Sequence, residues 1–337
     1  MALNGIDPGP LRGRSVLVTG GAGFIGSHLT ERLVELDATV TVLDDCSAGR
    51  DRNLAAVRDA VAFVDGDVRD RATIRELIAD HSLVFHLAAN AHVPTSVEEP
   101  RHDFAVNASG TQVVLEEARD AAVDRVVLAS SAAVYGPPQE VPMAETHPLA
   151  PVSPYGASKL SAEQLGLVYD ECYDLDVAVL RIFNTYGPRQ PRYVMYDFLR
   201  KLEADPSELA VLGSGEQVRT FVYVSDTVDA LVALGAVNEA PGRAFNIGGR
   251  EPTRIMDLAE LMAERYADGE PEVYATGEAK AGDIERLVAD TSRLAELGVE
   301  PSVGLEEGLD RLYEWYHDCE TSSETGVRSV GSGVPNG

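Results

Sequence analysis

"VLVTGGAGFIGSHL", residues 16 to 29, decides how this chain is read. A short β-branched apolar run is followed by glycines at 20, 21, 23 and 26, and then by a stretch with one apolar face. Strand, glycine turn and helix in that order let backbone amides and a positive helix end cradle a pyrophosphate. Gly20, Gly23 and Gly26 recur at three-residue spacing, and Gly21, Gly23 and Gly26 satisfy G-x-G-x-x-G. A tight turn that binds nothing would show the same glycines. It would not need the acidic residue that arrives on schedule: Asp44, 18 residues after Gly26, ends the run "TVTVLD". A carboxylate there takes both adenosine ribose hydroxyls and repels a 2′-phosphate, which favours NAD over NADP as cofactor. Arg50 lies close enough to keep NADP open.

Working outward, short strand-like runs alternate with longer amphipathic stretches. "SVLVTG" precedes a helix at 24–36, "TVTVLD" one at 51–59, "VAFVDGD" one at 70–79, and "SLVFHLAA" one at 102–119. "DRVVLASS" and "DVAVLRIFN" continue the series around a helix at 155–172. This is βαβα spacing, which predicts a doubly wound parallel α/β sheet of Rossmann type covered by helices on both faces. Later elements are less regular: helices at 193–204, 225–237, 253–267 and 305–318, with strands in "LAVLG", "VRTFVYV", "RAFNIGG" and "EVYA". The expected organisation is a dinucleotide-binding domain over 12–184 and a smaller, interleaved α/β substrate-binding region over 185–319. A disordered Gly/Ser-rich tail is expected over 320–337. Asp67 and Leu87 to Ala89 follow the third and fourth strands, at the carboxyl ends where open α/β sheets bind ligands.

Composition narrows the function. With 337 residues and 45% hydrophobic content the chain can bury a large core without staples. Three cysteines, Cys46, Cys172 and Cys319, lack C-x-x-C or Cys/His spacing, so neither disulfides nor a metal site is expected. No apolar leader or membrane span is visible, and a cytoplasmic protein is expected. The 55 acidic residues against 28 basic give a formal charge of −27, which repels nucleic acid and suits a high-salt interior. Lys159, Lys201 and Lys280 are the only lysines among those 28 basic residues, so each lysine asks for a reason.

Lys159 has one. "SPYGASKL" sets Tyr155 and Lys159 four residues apart, on one face of their helix. A phenol of reference pKa near 10 must fall by about 3 units, roughly 4 kcal/mol, to act as a base near neutrality. An adjacent ammonium and a positive nicotinamide ring favour that phenolate. A half-buried tyrosine beside a solvated lysine is the bland alternative.

Together, "TGGAGFIGSH", "HLAA", "SSAAVYG", Y-x-x-x-K and "FNTYGPRQ" resemble the extended short-chain dehydrogenase/reductase superfamily, and within it the nucleotide-sugar epimerases and dehydratases. The resemblance spans about residues 14 to 318. It implies Tyr155 as catalytic base, Lys159 on the nicotinamide ribose, and Ser131 on the reacting sugar hydroxyl. By the same resemblance Phe24, Ile25, Asp44, Asp67, Val68, Leu87, Ala88, Ala89, Asn107 and Phe183 fall at cofactor positions. Asn184 and Arg219 fall where the nucleotide sugar is held. The family's "RPGD" is "AKAGD" here, so Lys280 replaces an arginine while Asp283 keeps the nucleotide-ribose carboxylate. Lysine offers a point charge without the bidentate fork. A homodimer paired through helices flanking the sheet is implied by resemblance alone.

The family's members share oxidation at sugar C4 and differ in the fate of the 4-keto sugar. Dehydratases carry Asp and Glu directly after the small hydroxyl residue of "SSAAVYG", and the decarboxylases of the superfamily carry Glu at the second position. Here those positions are Ala132 and Ala133, which neither donate nor accept a proton. The resemblance therefore implies a 4-epimerase acting on a UDP-hexose, with UDP-glucose/UDP-galactose interconversion first. N-acetylhexosamine and uronic acid substrates come next, and Leu287 lies near a position that limits sugar size without settling which. A net nucleotide-sugar reductase and a non-catalytic dinucleotide sensor are the readings from other classes.

Overall fold

The opening β-branched run becomes the centre of a seven-stranded parallel sheet in a computed structural model that describes residues 8–190, 192–277 and 284–326, with side chains described to Asp318. Its first half comprises β1 (Ser15–Thr19), α1 (Phe24–Glu35), β2 (Thr39–Asp44), β3 (Val61–Asp65), α2 (Arg71–Ile78) and β4 (Leu83–His86). The chain continues through α3 (Val93–Glu98), α4 (Pro100–Phe104), a π-helical turn at Ala105–Ser109, α5 (Gly110–Asp120), β5 (Arg125–Ser131), α6 (Pro154–Cys172) and β6 (Asp176–Ile182). Beyond lie β7 (Asn184–Tyr186), α7 (Tyr193–Ala204), β8 (Glu208–Val211), β9 (Val218–Tyr223), α8 (Val224–Ala236), β10 (Arg243–Ile247) and β11 (Pro252–Arg254). The last elements are α9 (Ile255–Tyr266), β12 (Glu272–Ala275), β13 (Arg286–Leu287), α10 (Ser292–Glu296) and α11 (Leu305–Gly326).

The strand order is β3-β2-β1-β4-β5-β6-β10, so the winding reverses between β1 and β4 and opens a crevice at their carboxyl ends. The fold is the doubly wound, Rossmann-type α/β sheet with a smaller carboxyl-terminal sheet. The central strands are apolar throughout because helices cover both faces: Val16, Leu17, Val18 and Val127 are all fully buried. One core lies among α1, α7, α8 and α9, the other among α2, α5 and α6. In the smaller sheet β9 pairs with β11, β13 and β7, and β12 pairs with β8 in a two-stranded sheet. The segment after residue 184 serves both lobes, since β10 returns to the large sheet beside β6 and α8 packs on α1.

Several boundaries differ from the sequence reading. The helix expected at 51–59 is two 3₁₀ turns, Asp51–Leu54 and Arg58–Ala60, because Leu54 is the one buried side chain of the stretch and no apolar stripe forms. The helix expected at 102–119 starts earlier and breaks at Glu99, which Pro100 forces out of helical geometry. "DVAVLRIFN" divides at Phe183, after which β7 leaves for the smaller sheet. Residues 253–267 open with the short strand β11 before α9 begins. The last helix runs to Gly326, past the residue where a tail was expected. Lys280 and Asp283 lie outside the described residues. Among the described residues no helix is long and apolar enough to cross a membrane.

Candidate active site

The turn after β1 is built by contact. Gly20 has φ +73°, and a Cβ there would sit 2.6 Å from the Ala88 nitrogen. A Cβ on Gly26 would lie 2.1 Å from the Gly20 carbonyl oxygen, so α1 can seat on the turn only with glycine at this position. Gly23, the residue that caps α1, is different: its Cβ would meet Gly20 O at 3.1 Å and no other atom nearby. Its outer face is clear beside the helix amino end, which fits close approach of a pyrophosphate. Phe24 and Ile25 form the first turn of that helix.

Asp44 ends β2 with its carboxylate buried against the cradle, accepting from Ala22 N and Cys46 N, each at 2.9 Å. Burial pushes this carboxyl up, and those two bonds pull it back. Asp67 is held instead by Arg69 at 2.9 Å, which keeps its carboxyl below the ordinary range. Val68 beside it is core, filling the space under Gly110.

At the switch point Leu87 to Ala89 are half-buried, and behind them runs a chain of hydrogen bonds with one direction. Ala88 N donates to Thr19 Oγ1 (3.3 Å), which lies 2.7 Å from His86 Nδ1. His86 Nε2 lies 2.9 Å from Thr111 Oγ1, which donates to Asn107 O at 2.6 Å. Because the Thr111 proton is committed to that carbonyl, Nε2 carries the imidazole hydrogen and Nδ1 accepts from Thr19. Burial, aided by the Lys159 charge, pushes His86 down to about 3. Asn107 is also consumed within the protein: its Oδ1 accepts from Asn90 N at 2.8 Å, and its amide group reaches Asp103 and Ser158. It braces the wall of the crevice.

The proposed catalytic groups meet where β5 and α6 abut. Ser131 caps a 3₁₀ turn at Ala132–Val134, its Oγ accepting from Ala133 N at 3.2 Å, and it hydrogen-bonds the Tyr155 phenol. Ser153 caps α6, and Tyr155 N donates to the buried Ser96 hydroxyl at 3.1 Å. Gly156 lets α6 approach this closely, since its Cβ would stand 2.5 Å from Ala133 O. Ser130 points away from the site and donates to Glu163 at 2.7 Å; Glu163 in turn pairs with Arg181 at 2.5 Å in the interior. Ala132 belongs to the apolar cluster with Tyr135, Met143 and Phe183, whereas Ala133 is partly exposed.

Burial pushes Tyr155 up to about 12, with the Ser131 bond pulling the other way. This is opposite in sign to the activation expected from the sequence, because loss of solvent outweighs the stabilising contacts. Lys159 is pushed down to about 8 by the same burial, opposed by Asp103 and Glu163. Near neutrality the helix therefore presents a neutral phenol, bonded to Ser131, and an ammonium one turn further on.

The residues that the sequence reading assigned to the nucleotide sugar, Asn184 and Arg219, lie on the smaller sheet. Ser131 is in register with Ile182, so Phe183 and Asn184 follow at the same end of the crevice. Asn184 Nδ2 reaches Thr220 O at a long 3.5 Å, and Arg219 Nη1 donates to Val218 O at 3.0 Å and Glu285 O at 3.2 Å. Arg219 is also the register partner of Leu287, which places both on one strand pair. Residues that the sequence reading did not single out complete the walls. Tyr193, at φ +72°, donates from its hydroxyl to Ala91 O at 3.0 Å across the crevice, and His86, Asn90, Asp103 and Ser158 form the layer beneath. His86 stood in plain view as the first letter of "HLAA", and Asp103 sits one helical turn before Asn107.

Known proteins share this fold. A family model described as the NAD dependent epimerase/dehydratase family matches residues 16–248. The UDP-glucose 4-epimerase of Mycolicibacterium smegmatis is 38% identical over 90% of this chain and 98% of its own. The crystal structure of the Thermotoga maritima UDP-glucose 4-epimerase with UDP-glucose superposes with a TM-score of 0.84 at 35% identity, covering 91% of this chain and 99% of that one. The dTDP-glucose 4,6-dehydratase of Streptomyces venezuelae, crystallised with NAD, also gives 0.84, at 33% identity over 91% of this chain and 98% of that one. The chain belongs to the NAD-dependent epimerase/dehydratase family and is an enzyme of the nucleotide-sugar epimerase/dehydratase kind.

Proposed function

We propose that the protein is an NAD-dependent nucleotide-sugar 4-epimerase acting on a UDP-hexose, with UDP-glucose and UDP-galactose as its substrate pair. The observation that carries this reading is the Ser131–Tyr155 hydrogen bond at the crevice, beside two alanines and one helical turn from the buried Lys159. The turn at Gly20, Gly23 and Gly26, with Asp44, would hold NAD, which supplies a hydride acceptor and donor and a positive charge that favours the phenolate. Tyr155 takes the proton of the sugar C4 hydroxyl and returns it, Ser131 orients that hydroxyl, and Lys159 holds the nicotinamide ribose. Asn184 and Arg219 hold the nucleotide sugar, with Lys280 and Asp283 assigned by sequence.

Relatives of similar identity include a dehydratase, so family alone does not choose the reaction. Residues 132 and 133 favour inversion: by resemblance, the dehydratases place their acid and base there, and alanine is neither. The test is a panel of UDP- and dTDP-sugars incubated with pure protein and no added NAD, with products identified by NMR. Conversion of UDP-galactose to UDP-glucose supports the reading, and turnover that appears only when NAD(P)H is added and consumed stoichiometrically overturns it.

Two further properties belong to the same proposal. The exposed apolar side chains Val97, Phe104 and Val168 lie on α3, α4 and α6, which pack together, and they supply a homodimer face. The formal charge of −27 suits a cytoplasm rich in salt, where screening relieves self-repulsion. Thermal stability and turnover should therefore rise with molar KCl, and a flat response contradicts the high-salt assignment.

A further inference from the structure

Asp103 is a carboxylate with no exposed surface that the cradle and the catalytic pair leave unused. Its Oδ1 accepts from Asn90 Nδ2 and Asn107 Nδ2, each at 3.1 Å, and its Oδ2 accepts from Ser158 Oγ at 2.6 Å. These donors come from the loop after β4, the π-helical turn and α6, so the group is fixed by three separate elements. Ser158 immediately precedes Lys159, and its hydroxyl also lies 3.0 Å from Asn107 Nδ2. All three donors are neutral. Hydrogen bonds satisfy the oxygens, yet the negative charge is not cancelled by the groups that hold it.

We propose that Asp103 is a positioning residue for the catalytic pair, a fixed buried charge whose field holds Lys159 as the ammonium and Tyr155 as the phenol before substrate arrives. The inference rests on the proposed function only in treating Tyr155 and Lys159 as the working pair. The titratable and charged groups around them are few: Glu163 on α6, His86 on β4, Arg181 on β6 and Tyr193 on α7. Burial leaves His86 neutral, and Arg181 answers Glu163 at 2.5 Å. Asp103 is then the carboxylate with no cation bonded to it among these groups. Consistent with that placement, it is the larger of the two influences that raise Lys159 against burial, and it also raises Tyr155.

The low lysine count makes the test direct. Protein labelled with [ε-¹³C]lysine contains three lysines, Lys159, Lys201 and Lys280, and a Lys159→Met variant assigns the signal of interest. Its titration is followed in the wild type and in Asp103→Asn, which keeps the shape and the acceptor oxygen but removes the charge. The Lys159 midpoint should fall by roughly one pH unit in the variant, the scale of a neighbouring charge. Ultraviolet difference titration against Tyr155→Phe should show the phenol also ionising at lower pH. In the kcat/KM profile both limbs should then move acidward, whereas a purely structural role lowers the maximum without moving either limb. Asp103→Ser serves as a second neutral variant should the asparagine protein not fold, and it must shift the midpoint in the same direction. An unchanged Lys159 midpoint in a folded neutral variant overturns the proposal. Both titrations are read without substrate, so a shifted midpoint in a protein that does not epimerise would count against the proposed function and leave Asp103's role standing.

Discussion

His86 gives a stability prediction whose size comes from the structure. Its imidazole is buried between Thr19 and Thr111 with Nδ1 as acceptor, so a second proton would face a hydroxyl already aimed at that nitrogen, in a site without solvent. The folded-state pKa is about 3 against an ordinary 6.5. For a base depressed on folding, the contribution is fully present above the unfolded value and is lost as pH falls, because only the unfolded chain takes the proton. Between pH 6.5 and 3 the slope is about 1.4 kcal/mol per pH unit, so acidification from neutrality to about pH 4.5 should cost roughly 2–3 kcal/mol from this residue alone. His86→Gln keeps a donor and an acceptor for the two threonines but does not titrate. Urea unfolding of both proteins, at one fixed high salt concentration, measures the difference between them at each pH. Carboxylates titrate in both and cancel. The advantage of the wild type over the variant should shrink by about 2–3 kcal/mol over that range, and parallel stability curves would refute the buried neutral imidazole.

Other perturbations have equally definite outcomes. Glu163→Ala strands the Arg181 guanidinium in the interior, where the paired side chains are 0% and 4% exposed, and should cost about 3–5 kcal/mol in chemical denaturation; a loss under 1 kcal/mol would mean that water reaches the pair. Gly26→Ala places a methyl 2.1 Å from Gly20 O, so NAD measured by calorimetry should no longer bind while the fold persists by circular dichroism. Tyr155→Phe should lower kcat by roughly 10²–10⁴ with NAD content retained, and full turnover in that variant would remove Tyr155 from the chemistry.

The large sheet was legible in the sequence because each strand is a short apolar run and most crossovers carry a 3.6-residue stripe. The cradle was legible because glycine there answers a contact: Gly20 and Gly26 have no room for a Cβ. Less visible was anything set by burial across the fold. The sequence placed Tyr155 and Lys159 on one face, but not the desolvation that pushes the phenol up and the amine down. Asp103 and His86 are ordinary letters until three elements close around them. The stretch at 51–59 carried helical composition without a stripe to bury, and composition alone did not hold it in an α-helix. Pro100 signalled the break at Glu99, and the sequence reading passed over it. The smaller sheet was hardest, since β7, β11 and β13 are two or three residues long and owe their pairing to β9 rather than to local pattern.

Inversion at C4 through a retained hydride is tested most directly by following that hydrogen. UDP-galactose deuterated at C4 is incubated with the pure protein and no added NAD, and the product is examined by ¹H and ²H NMR. The expected product is UDP-glucose with deuterium still at C4. A 4-keto-6-deoxy sugar with deuterium gone from C4, or turnover only when NAD(P)H is supplied, would contradict it.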